Sequence, residues 1–206
     1  RNKFEKQALA QSIRDKIAID LHDDIGSTLS SISILSELAK QNSSNAVPYI
    51  ENISKNTALM QENMSDIVWA INPKNDRFVN IIQYMSQFAE EVLETKNIEV
   101  NFNSDESLSS LMLPMDKRKN FYLFFKEAVN NCAKYSMASY VDILISCKEQ
   151  HINLIIADNG KGFNTLLNYK GNGMLTMKKR AEELCGQVKI ISEQNKGTQI
   201  HLYFPV

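Results

Sequence analysis

Three stretches of this sequence combine residue types that do chemistry. The first is Asp20-Leu-His22-Asp23-Asp24-Ile-Gly26-Ser27-Thr28. An imidazole beside a carboxylate suits nucleophilic work, because the acid orients one ring nitrogen and accepts its proton while the other attacks. On a helix His22 follows Leu21 by about 100°, so it lies beside the apolar stripe and reaches solvent while its neighbours pack. The plainer alternative is a surface histidine in an acidic patch.

The second stretch is Phe125-Lys-Glu127-Ala-Val-Asn130-Asn131-Cys-Ala-Lys134-Tyr135-Ser136. Spacings of four and three put Glu127, Asn131 and Lys134 on one helical face. A carboxylate, an amide oxygen and an ammonium so aligned can hold Mg²⁺ and the phosphates it bridges. A solvated helix face with an ion pair explains the same spacing. The third stretch is Asp158-Asn-Gly160-Lys-Gly162-Phe163, directly after a strand pattern, followed by Gly171-Asn-Gly173 at the start of a helical one. Alternate glycines let the backbone approach a ligand closely, and a helix N-terminus offers free N–H groups to phosphate. Asp158 at a strand end can accept a hydrogen bond from an exocyclic amine such as adenine's. The spacing is neither the Walker loop nor the dinucleotide fingerprint, and two Gly-rich turns remain an alternative. Lys178, Lys179 and Arg180 read as a solvated helix face.

These residues need a frame to hold them. From Lys3 to about Gln41 there is no Pro and one Gly, while Ile13, Ile17, Leu21, Ile25, Thr28, Ile32, Leu35 and Ala39 recur at spacings of three and four. That predicts one long amphipathic helix. Asn42–Asn45 and Pro48 break it, and a second helical pattern runs from Ile53 through Met60, Met64, Ile67, Val68 and Ile71 to Asn72-Pro73, where proline ends it. Two long helices joined by a short turn predict an antiparallel hairpin whose stripe is too exposed to stand alone. A homodimer forming a four-helix bundle covers it. After a polar hinge, Pro73–Asp76, helical patterns over Phe78 to about Thr95, Pro114 to about Tyr135 and roughly Met174–Cys185 mix with strand patterns at Ile98–Phe102, Val141–Cys147, Ile152–Ala157, Val188–Ser192 and Thr198–Phe204. Two adjacent strand pairs suit hairpins and favour an α+β two-layer sandwich over a parallel doubly wound sheet. The expected fold is multi-domain, with an all-α hairpin over residues 1–73 and an α+β domain over 74–206.

Composition narrows the class. The chain has 206 residues, 43% hydrophobic and 23% charged, which excludes collagen, disorder and a disulfide miniprotein. Three scattered cysteines without a C-x-x-C pair fit a reducing compartment and no structural zinc. A net charge of -1 leaves no electrostatic footprint for nucleic acid. No apolar run approaches the ~18 residues that span a bilayer. The chain begins at Arg1 without a signal-type segment. The expectation is a cytoplasmic portion of a membrane-anchored bacterial sensor, attached to membrane only through upstream segments.

Read in order, the motifs resemble the sensor histidine kinases of two-component systems, in the subfamily with a two-helix dimerisation domain and a short ATP lid. Asp20–Gly26 is similar to the phosphoacceptor H box, Glu127–Asn131 with Lys134-Tyr135-Ser136 to the N box, Asp158–Gly162 and Gly171–Gly173 to the two glycine boxes, and Gly197-Thr198 to the last. The resemblance covers nearly the whole chain. It implies that His22 is phosphorylated with Asp23 as its base, that Asn131 ligates Mg²⁺ with Glu127 as polar partner, and that Lys134 contacts phosphate. It further implies that Tyr135 lines the ATP pocket and Asp158 takes the adenine amine. Gly160, Gly162, Gly171 and Gly173 shape the lid and its hinges, and Thr198 sits beside the base. The lid between Gly162 and Gly171 is short, eight residues.

The implied function is autophosphorylation on His22 with ATP and Mg²⁺, then phosphotransfer to an aspartate of a response regulator receiver domain. Two rivals are another ATPase or serine kinase on the same nucleotide fold, and a catalytically silent dimeric signalling scaffold. Intact Asp20–Gly26 argues against the first; Glu127, Asn131, Asp158 and the glycines argue against the second. Two positions depart from the family pattern. Ser27 stands where a Gln or Asn commonly positions the water that dephosphorylates the regulator, and Met174 replaces the usual Leu, a nearly volume-conserving exchange.

Overall fold

The computed structural model describes residues 25–164 and 173–206. The chain divides into two compact units, Arg1–Asn72 and Pro73–Val206.

In the first unit, residues 25–41 are helical (α1), and this is the part of the expected Lys3–Gln41 helix that falls within the described residues. A 3₁₀ turn at Ser43–Asn45 leads to α2, Val47–Ile71, with a proline in its first turn, where the missing N–H costs no helical hydrogen bond. α2 stops at Asn72, extended at φ -72° and ψ 119° because the following Pro73 disfavours helical geometry. Leu29, Ile34, Ile50, Leu59, Met64 and Val68 all stand exposed, an apolar surface larger than scattered single residues would make.

The second unit runs α3 (Phe78–Glu94), β1 (Glu99–Ser104), α4 (Met115–Asn131), β2 (Tyr140–Lys148), β3 (His151–Asp158), α5 (Gly173–Glu183), β4 (Gln187–Ser192) and β5 (Thr198–Pro205). The sheet order is β1-β2-β3-β5-β4. The expected strand pairs are antiparallel hairpins. The β2–β3 turn places Glu149 and Gln150 both at positive φ, 51° and 62°, which matches the twist of the paired strands. β1 instead pairs parallel to β2, with α4 in the connection between them. Strand alternation buries one face: Val141, Ile143 and Ile145 of β2, Ile152, Leu154 and Ile156 of β3, and Ile200, Leu202 and Phe204 of β5.

α4 is the centre of the helical layer. Its Phe121 meets Phe78 of α3 and Phe204 of β5, and its Phe125 meets Phe88 of α3 and Phe102 of β1. Burying one such ring contributes about 1.5–3 kcal/mol. Two local readings change. The Pro73–Asp76 segment is no free hinge, because Asp76 Oδ1 accepts a 2.5 Å bond from the fully buried Arg118 guanidinium and the Asp76 carbonyl accepts the Leu113 N–H. And α4 ends at Asn131 rather than near Tyr135, followed by a π-helical turn at Cys132–Ser136 that Met137 closes in the left-handed region.

Candidate active site

Asp158 ends β3 in register with Thr198, the first residue of β5. Its Oδ1 accepts the Gly160 N–H at 2.9 Å, and Cys132 Sγ lies 3.9 Å from Oδ2. Thr198 donates to the same carboxylate from its backbone and its hydroxyl. Burial pushes the Asp158 carboxyl above its ordinary value, and these donors only partly offset that. Cys132 is pushed up to about 12, first by burial and then by the neighbouring Asp158. The pair is a buried thiol against a desolvated carboxylate with defined donors. Such a carboxylate keeps acceptor capacity for one more donor, such as an amine.

The loop after Asp158 is held from two sides. Lys161 donates its N–H to the Ser136 carbonyl at 2.8 Å, and its own carbonyl accepts the Asn195 N–H at 2.6 Å. Gly162 adopts φ +55°, and a Cβ there would overlap the Glu193 carbonyl oxygen, so glycine is required on both counts. Phe163 donates its N–H to Ser192 Oγ at 2.8 Å.

On α4, Asn131 Nδ2 donates to Glu127 Oε1 at 3.2 Å. Gly173, at the start of α5, lies against both side chains. Glu127, Asn131 and Gly173 therefore form one cluster, and Asp158, Gly160 and Thr198 another, bridged by the chain from Asn131 to Cys132. Lys134 and Tyr135 stand exposed in the π-turn. Glu127 and Asn131 lie on α4 itself, whereas Lys134 falls in the π-helical turn that follows it. His22, Asp23 and Gly171 lie outside the described residues. The sequence assigns no individual role to Cys132, Ser136 or Ser192. For Ser192 a signal existed: Val188, Ile190 and Ser192 share one side of β4, so a hydroxyl takes an apolar position.

Residues 14–76 match the family model described as "Histidine kinase", and residues 116–206 the one described as "Histidine kinase-, DNA gyrase B-, and HSP90-like ATPase". This chain belongs to the sensor histidine kinases. It is similar to the sensor histidine kinase LiaS of Bacillus subtilis (strain 168), 24% identical over 98% of this chain and 56% of that protein. It is also similar to the signal transduction histidine-protein kinase/phosphatase DegS of Brevibacillus brevis, 24% identical over 98% of this chain and 55% of that one. The chain spans about half the length of the curated relatives it matches. The histidine kinase domain of a blue-light activated histidine kinase from Erythrobacter litoralis shares the fold, with a TM-score of 0.57 over 96% of this chain and 94% of that one at 16% identity. In this histidine kinase the ATPase-type region, residues 116–206, contains both clusters, and the kinase region, residues 14–76, contains His22 and Asp23. The match over residues 116–206 implies ATP binding.

Proposed function

We propose that this chain is the kinase core of a two-component sensor, with residues 1–73 as dimerisation and phosphoacceptor domain and residues 74–206 as catalytic domain. It phosphorylates itself on His22 and passes the phosphoryl group to an aspartate of a response regulator receiver domain. The observation that carries this is the Asp158 carboxylate, desolvated and held by Gly160, Thr198 and Cys132 beside the Glu127–Asn131–Gly173 cluster. It suits an adenine amine on one side and phosphates on the other.

A ring nitrogen of His22 attacks the γ-phosphorus in line; the N–P bond forms as the bond to the β,γ-bridging oxygen breaks, and ADP leaves with that electron pair. Asp23 orients the imidazole and takes its proton. Asn131 gives its amide N–H to Glu127, which leaves its oxygen for a hard cation, so Asn131 with Glu127 beside it would hold Mg²⁺. Such an ion would supply charge neutralisation to the phosphates. Lys134 contacts phosphate from the π-turn, Tyr135 lines the pocket, and Gly173 flanks the phosphate side. The exposed Leu29, Ile34, Leu59 and Val68 support a homodimer through a four-helix bundle. ATP and receiver domains place the reaction on the cytoplasmic side of the membrane. Among the described residues no helix is long and apolar enough to cross it.

Incubation with γ-labelled ATP and Mg²⁺ should label the protein with acid-labile, base-stable phosphate. His22→Ala should abolish the label and leave ATP binding intact. No label on the wild type would favour the silent scaffold, and acid-stable label a serine kinase.

A further inference from the structure

Ser192 touches both Phe163, just past the first glycine box, and Thr198 beside Asp158. Its Oγ accepts the Phe163 N–H at 2.8 Å, and it lies 3.1 Å from the Gly197 carbonyl and 3.0 Å from Thr198 Oγ1. A hydroxyl has one proton and two acceptor lone pairs. Phe163 occupies one lone pair, so the single Ser192 proton has two places to go, the Gly197 carbonyl or Thr198 Oγ1.

Either arrangement ties the Thr198 hydroxyl to Ser192. With the Ser192 proton on Thr198 Oγ1, the Thr198 proton cannot point back and is aimed at Asp158, the bond that carboxylate receives. With the Ser192 proton on the Gly197 carbonyl, Ser192 Oγ still holds Thr198 Oγ1 at 3.0 Å beside Asp158; without the Ser192 hydroxyl the Thr198 side chain loses that anchor and can rotate away from the carboxylate. We infer that Ser192 is a positioning residue for nucleotide-base discrimination: through Thr198 it fixes the orientation of the Asp158 carboxylate, and the Phe163 N–H fixes Ser192 in turn. The inference rests on the reading of Asp158 as the acceptor of the adenine amine. It adds a residue on β4 that touches no base. The hydrogen-bonded series Phe163, Ser192, Thr198, Asp158 ends at Cys132, whose thiol lies against the other carboxylate oxygen. Asp158 is thus held from the sheet on one side and from the end of α4 on the other.

The test compares binding of ATP with that of inosine triphosphate, which carries a carbonyl where adenine carries its amine and shares the same phosphates. Wild type should prefer ATP. Ser192→Ala should lower the ATP-to-ITP affinity ratio by about five- to tenfold, the size of one hydrogen bond. Affinity for ITP should change little, and amide hydrogen exchange at Phe163 should speed up. Ser192→Thr, which restores the hydroxyl, should recover the ratio. A ratio unchanged in Ser192→Ala overturns the relay, including the case where affinity for both nucleotides falls together, because that is what a merely structural role gives. If wild type itself binds the two nucleotides alike, the adenine reading of Asp158 falls and takes the relay with it. Wild-type discrimination with an unchanged Ser192→Ala ratio removes the relay alone.

Discussion

Gly173 sits so close to Glu127 that a Cβ added at Gly173 would overlap the Glu127 Oε1 oxygen. Glu127 holds Asn131 at 3.2 Å, so the second glycine box presses directly on the side chains proposed to carry the metal. Gly197 sits under a different constraint, at φ +78°, where an added Cβ would overlap the Asp158 backbone carbonyl oxygen. One glycine faces the mobile end of a side chain, the other faces backbone.

Gly173→Ala should therefore keep the fold, since the Glu127 carboxylate can swing aside, but lose phosphoryl transfer by roughly a hundredfold through misplacement of Asn131. Gly197→Ala should unfold the second unit more easily, by on the order of 3 kcal/mol, because neither its backbone neighbour nor its φ can yield. Thermal unfolding beside γ-labelled ATP incorporation separates the two. Equal loss of stability in both variants would contradict the distinction.

Asp158 should make base recognition sensitive to acid at a pH above the ordinary carboxylate range. Its pKa is raised by burial, so on acidification it takes a proton sooner than a solvent-exposed aspartate and ceases to be a full acceptor for the adenine amine. The ATP-to-ITP affinity ratio, in which phosphate titration cancels, should fall as pH drops through that raised value. Folding stability moves the other way. The native state binds the proton more tightly than the unfolded chain, so Asp158 costs stability above its raised pKa, and the cost disappears as pH falls toward the unfolded value. Asp158→Asn should flatten the pH dependence of the ratio.

Cysteine labelling reads the same site. Cys132 is buried with a pKa near 12, Cys147 is half-buried, and Cys185 is exposed. At pH 8 Cys132 therefore stays the unreactive thiol. Maleimide should label Cys185 first and Cys132 only when the domain unfolds, as peptide mass analysis would show. Rapid labelling of Cys132 in the native protein would mean that its contact with Asp158 is absent.

Asp23→Asn should retain ATP binding and slow the appearance of phosphohistidine by roughly 10²–10⁴, the range for a lost general base. A near-normal rate would reduce Asp23 to a surface carboxylate.

Ser27 is exposed on α1, with its carbonyl accepting the Ser31 hydroxyl at 3.1 Å. Its side chain is about two heavy atoms shorter than glutamine, too short to align a water at a regulator's aspartyl phosphate. Decay of a phosphorylated regulator should be accelerated weakly by this chain and about tenfold or more by Ser27→Gln. Strong acceleration by the wild type, unchanged in Ser27→Gln, would show that another group holds the water.

The sequence by itself determined what local periodicity and side-chain chemistry can carry. Alternation in Val141–Cys147 and Ile152–Ala157 marked strands because one face of the sheet is buried, and Asn72-Pro73 marked a helix end because proline forbids continuation. Asp158 with its glycines, and Glu127 with Asn131, were legible because each group lies within a few residues. Tertiary structure alone decided the contacts that join distant segments. Cys132 meets Asp158 across 26 positions, Phe163 meets Ser192 across 29, and Asp76 meets Arg118 across 42. No periodic pattern encodes such pairs, since they depend on which strands become neighbours. The parallel pairing of β1 with β2 is of the same kind. The π-turn at Cys132–Ser136 could not be read either, because an altered turn at a helix end leaves the spacing of residues in the sequence unchanged.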